Sequence, residues 1–175
     1  ELKDQLLEAL VQHVPEIATD EDEPGFGVSL GGVASESGVF FNAAWPERNR
    51  LGASERCEAW QLLTPVRGKG HGVEELNRFL HERFREQALR FAEARRPRTP
   101  RPNGAERIIY GDKVMSTTNA LRGVLGRERA LVSNGEIGIV VGETRFGNRW
   151  NGRTPERLDV EFGTQPGRTF VYWPG

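Results

Sequence analysis

Two runs of residues set the reading of this chain. The first is Tyr110-Gly111-Asp112-Lys113-Val114-Met115, and the second is Asn134-Gly135-Glu136-Ile137-Gly138-Ile139-Val140-Val141. Asn-Gly is the pair best suited to positive backbone φ, so Asn134-Gly135 marks a tight turn feeding a strand. Ile137, Ile139 and Val141 then recur at strand period. Gly138 removes a side chain in mid-strand, as at a bulge or a sharply curved strand. Between the two runs lies a basic stretch, read as a loop. The plain reading is a small β-barrel; the sharper one is a barrel whose basic loop touches a nucleic acid.

Outward from there, the strand pattern continues. Ile108-Ile109-Tyr110 with Val114-Met115 reads as a first strand and residues 137–144 as another. Leu158, Val160 and Phe162 alternate in a third, Gln165-Pro166-Gly167 is a turn, and Thr169 to Trp173 is the last. Gly147 to Gly152 reads as a loop between strands. About five short strands in this space suit an SH3-like or OB-like barrel.

The N-terminal part reads differently. Leu2, Leu6, Leu7, Leu10, Val11 and Val14 repeat at helical spacing until Pro15 ends the run. Residues 25–42 read as a short hairpin turning at Gly31-Gly32, and Ser54 as the cap of a short helix through Trp60. Trp60-Gln61-Leu62-Leu63-Thr64-Pro65 reads as an apolar strand. A Gly-rich loop follows, then a helix from Val73 carrying Leu76, Phe79, Leu80, Phe84 and Ala88 on one face. Arg95 to Pro102 breaks that helix and begins a connector.

Composition bounds the function. The chain has 175 residues, 21 glycines, 10 prolines and one cysteine, so an internal disulfide is excluded and a reducing, cytoplasmic setting is expected. No apolar run approaches membrane-spanning length. Net charge is −1 but unevenly spread: residues 1–60 carry 4 basic and 12 acidic side chains, and residues 61–129 carry 15 basic and 8 acidic. The basic middle third suggests a polyanionic partner, although much of the charge in 73–96 fits a solvated helix face. Gly68-Lys69-Gly70 lacks the hydroxyl residue a phosphate loop needs after its lysine, and no histidine or cysteine cluster has metal spacing. No catalytic residue and no metal ligand is expected.

The order of motifs resembles a known family. Trp60-Gln61-Leu62-Leu63-Thr64-Pro65-Val66-Arg67 comes first, then Gly70-His71-Gly72-Val73-Glu74-Glu75-Leu76-Asn77. Gly111-Asp112-Lys113-Val114-Met115 with Asn119 follows, then Asn134 to Val140. This succession is similar to the C-terminal part of RecD-like superfamily 1 DNA helicases of the exonuclease V alpha-subunit type. The resemblance covers roughly residues 60–173 and rests on order more than on any single motif. It implies an α+β chain: a partial RecA-like α/β motor domain segment over 1–106, with an insertion at about 16–59, followed by a small SH3-like antiparallel β-barrel over 107–175. It further implies a fragment of an ATP-dependent DNA helicase that contributes single-stranded DNA contacts and no catalysis by itself. The partners would be single-stranded DNA and the remaining helicase domains, with no membrane. ATP and magnesium would belong to the full-length parent and not to this piece.

Residue by residue, the resemblance names Lys113, Thr117, Thr118, Asn119, Arg122, Arg127 and Arg129 as DNA-contact candidates. Arg67 would face a nucleotide or phosphate, or else be a surface arginine. Asn77 and Asp112 are expected to make structural hydrogen bonds, and His81 to lie on the surface. The alternative class is an SH3-like protein- or RNA-binding module, with Trp150, Tyr172 and Trp173 as its aromatics.

Overall fold

A computed structural model describes residues 2–66, 71–94, 100–145 and 156–173. Four α-helices and two small antiparallel sheets make up the described chain, an α+β arrangement.

Helix α1 (Leu2–His13) buries Leu7 and Leu10 and ends before Pro15, as its spacing predicts. Helix α2 (Glu23–Ser29) replaces the first arm of the expected hairpin. Asp22 accepts from the Gly25 N–H at 2.9 Å and Pro24 sits in the first turn, so a good cap outweighs two helix-weakening glycines. The hairpin itself is shorter and later: β1 (Val33–Ser35) pairs with β2 (Gly38–Phe40), turning at Ser35 to Gly38. Ser54 lies in a 3-10 turn (Ala53–Arg56), where its side chain serves a different partner from the expected cap. Trp60 to Pro65 forms no strand: Leu63 is 84% exposed, and no neighbouring strand supplies hydrogen-bond partners among the described residues. Helix α3 (Val73–Phe84) starts where expected and buries Leu76, Leu80 and Phe84. It breaks at Arg85, and Ala88 belongs to a separate helix α4 (Glu86–Glu93).

Six strands follow: β3 (Lys113–Met115), β4 (Ala120–Val124), β5 (Arg127–Val132), β6 (Ile137–Arg145), β7 (Glu156–Phe162) and β8 (Thr169–Tyr172). They form one antiparallel sheet in the order β3-β6-β7-β8-β4-β5, which does not close. The expected barrel is therefore an open sheet, with β3 and β5 as its edges. The expected basic loop is a hairpin, β4 and β5, turning at Leu125-Gly126. Ile108 to Tyr110 stays outside the sheet, because Gly111 turns the chain at φ +85° before β3 begins.

Strand β6 is the wall between two cores. Ile139 packs with Leu10, Phe26, Phe41 and Phe84 on the helical side. Its neighbour Val140 packs with Val132, Val160, Phe162 and Phe170 on the sheet side. Both are fully buried, so the apolar run of β6 follows from having two covered faces. The bulge in β6 lies between Val140 and Gly142, not at Gly138. Gly138 serves close approach instead: a Cβ there would stand 2.5 Å from the Glu161 carbonyl oxygen. The Asn134-Gly135 turn is formed as expected, with Gly135 at φ +88°.

Candidate nucleic-acid interface

One face of the open sheet carries a groove of about 270 Å³. The alternation of β4 decides what enters it. Leu121 points outward, whereas Ala120, Arg122 and Val124 turn toward the sheet interior. Val114 of β3 forms one wall with Thr117 and Thr118, and Arg122, Tyr172 and Trp173 form the other. Val140, Leu158, Val160 and Phe162 make the floor, and Asn103 and Ile108 close one end.

The wall containing Thr117 and Thr118 is fixed by short-range bonds. Ser116 Oγ donates to the Thr118 carbonyl at 2.9 Å. Asn119 Oδ1 accepts from the Asn134 N–H at 2.7 Å, tying this connection to the Asn134-Gly135 turn. The Gly135 N–H donates to the Ser116 carbonyl at 2.8 Å. The turn that the sequence announces thus holds the lip of the groove.

On the opposite wall the Arg122 guanidinium lies over the Tyr172 ring, 5.0 Å from its centroid. A cation over an aromatic face is attracted by the ring quadrupole and loses side-chain freedom. Among the described residues no carboxylate pairs with Arg122, and its contact is with Tyr172. Burial pushes the Tyr172 hydroxyl pKa up, the Arg122 charge opposes that, and the Glu136 charge adds to it. Tyr172 is therefore a neutral aromatic surface at ordinary pH.

The remaining expected contacts are distributed elsewhere. Lys113 points to the other face of β3: its Nζ donates to the Trp60 carbonyl at 2.7 Å and lies 5.2 Å from that indole's centroid. Burial lowers its pKa, with Cys57 and Glu58 opposing. Arg127 pairs with Glu47 at 3.3 Å in an exposed contact. Arg129 donates to the Leu121 carbonyl at 2.6 Å. Asn119 sits at the lip. Arg67 and Trp150 lie outside the described residues. The structure thus gathers Thr117, Thr118 and Arg122 in one groove and does not bring Lys113 there. Met115, Asn103 and Ile108 were missed as lining residues. The i, i+2 alternation of Arg122 with Val124 was the one available signal for an inward arginine.

A second polar cluster joins helices to sheet. Asp112 accepts from the Ile109 N–H at 2.9 Å, as a turn acceptor should. It also meets His81 Nε2 at 2.9 Å and Arg85 Nε at 3.2 Å. His81, expected on the surface, is mostly buried by this contact, its side chain 18% exposed. Asn77 lies on the exposed face of α3.

Nothing among the described residues forms a phosphate cradle. The two described lysines are Lys3, paired with Glu75, and Lys113 on the Trp60 carbonyl. No described helix is long and apolar enough to cross a membrane. Comparison with protein families, with curated proteins and with solved structures finds no match to this chain.

Proposed function

We propose that this chain binds single-stranded nucleic acid, DNA in the first instance, through the concave groove of its sheet, and contributes contacts without chemistry of its own. One observation carries the reading: the groove sets an arginine with no carboxylate partner among the described residues over Tyr172, with Trp173 beside it and hydroxyls of Thr117 and Thr118 across from them. Arginine and threonine suit phosphate oxygens, and aromatic rings suit base faces. The lining holds no carboxylate among the described residues, which favours an anionic strand over a basic peptide. The order of motifs supports a place inside an ATP-driven DNA helicase of the RecD-like type, where other domains would supply nucleotide and magnesium sites.

Fluorescence anisotropy with a labelled oligothymidine tests this. The expected Kd is on the order of 10⁻⁴–10⁻⁶ M at physiological salt, weakening as salt rises because phosphate contacts release counterions. Arg122→Ala and Trp173→Ala each weaken binding. Capture of a proline-rich peptide with no binding of oligothymidine would instead place the chain among SH3-like protein modules.

A further inference from the structure

The groove has a depth profile as well as a lining. Its floor is apolar and closed, with Val140, Val160 and Phe162 each at most 4% exposed. Its rim is open, with Trp173 59% exposed. Polar atoms are confined to the rim, and the single formal charge there is the Arg122 guanidinium, held in place over Tyr172. A ligand that fills such a space has a flat apolar body, a polar edge and a negative charge attached at one end.

The volume narrows the choice further. About 270 Å³ falls just below the range of roughly 300–1,000 Å³ typical of small-molecule pockets. That is room for one base with part of its sugar. A base inside a duplex keeps its faces against its neighbours and cannot reach an apolar floor without leaving the stack. A base in a single strand has its face free and carries its phosphate with it.

We propose that the groove is a recess for a single nucleotide: one base of a single strand enters against Tyr172 and Trp173, and the adjoining phosphate rests on Arg122 at the rim. This rests on the strand-binding reading above and adds that a base must be inserted.

Two strands separate the two ideas. One is a labelled ten-nucleotide oligothymidine; the other has the same phosphates with every base replaced by an abasic site, so its counterion release is the same. The recess predicts that the abasic strand binds at least about tenfold more weakly, the loss expected from removing one base–aromatic stack. Trp173→Ala should narrow that difference, read on protein whose fold is confirmed by circular dichroism. Equal binding of both strands, weakened by Arg122→Ala, would remove the recess and leave strand binding standing. No binding of either strand by the folded protein would remove both.

Discussion

Ser54 Oγ donates to Glu161 Oε1 at 2.6 Å across a separation of 107 residues, and Glu161 is fully buried. The same carboxylate accepts from the Ala44 N–H at 3.0 Å and the Gly167 N–H at 3.0 Å. One side chain on β7 thereby fastens the 44–54 segment and the β7–β8 turn to the sheet. A buried carboxylate is tolerated when several donors satisfy it, and hydrogen bonds to a charged group are among the stronger ones.

Removing that carboxylate strands three donors. Glu161→Ala should destabilise the fold by about 3–5 kcal/mol, because each buried donor left without a partner costs roughly 1–3 kcal/mol. Ser54→Ala should cost less, about 1–2 kcal/mol, since the two backbone donors stay satisfied. Urea denaturation of the two variants beside the parent measures both, and equal losses would contradict the ranking.

Glu143 makes stability depend on pH. Burial pushes its pKa up to about 7, the Tyr110 amide opposes that, the Asp112 and Glu156 charges add to it, and Arg85 opposes. Among the described residues its Oε1 has no hydrogen-bond partner. The folded state therefore holds this proton more tightly than the unfolded state, whose carboxyl titrates near 4.5. Below that value the group is protonated in both states and costs nothing. As pH rises from there through 7 the unfolded chain releases the proton first, so stability falls, and above 7 the loss is complete. Allowing for its partial exposure to water, Glu143→Gln should stabilise by on the order of 2 kcal/mol at pH 8 and by little at pH 4.5. Melting temperatures of parent and variant at the two pH values check this, and a constant difference between them would contradict it.

Gly135 isolates a backbone effect. Its φ is +88°, and a Cβ there would meet nothing within 4 Å. Gly135→Ala should still cost about 1 kcal/mol, because a side chain disfavours that backbone region even in open space. Because the turn also holds the Ser116 carbonyl, the variant should loosen the lip of the groove. A melting curve identical to the parent's would contradict the strain.

The features legible in the sequence were those set by local chemistry. Asn134-Gly135 announced its turn because few pairs tolerate positive φ, and α1 and the start of α3 announced themselves by period. What escaped was set by distant partners. Phe26 to Ser29 folds as a helix that Asp22 caps locally, and its Phe26 stacks on Phe84 at 4.7 Å, a contact no local pattern encodes. Trp60 to Pro65 has strand composition but no strand beside it. Glu161 reads as the solvated position of an alternating strand, yet the 44–54 segment covers it. Residues 120–132 looked like a basic loop because arginines interrupt the apolar alternation that Leu121 and Leu131, directly opposed across the hairpin, would otherwise show. The groove was half legible: Thr117, Thr118 and Arg122 were candidates, but their meeting with Tyr172 and Trp173 depends on the order of the strands in the sheet.

The central claim is that the concave groove is where a strand binds, and photochemical crosslinking tests it most directly. An oligothymidine carrying 5-bromodeoxyuridine is irradiated on the full chain, and the crosslinked peptides are identified by mass spectrometry. The account predicts crosslinks on Tyr172 or Trp173, and their loss in Arg122→Ala at the same total strand concentration. Crosslinks confined to Trp45 or Phe91, exposed aromatics that do not line the groove, would contradict it.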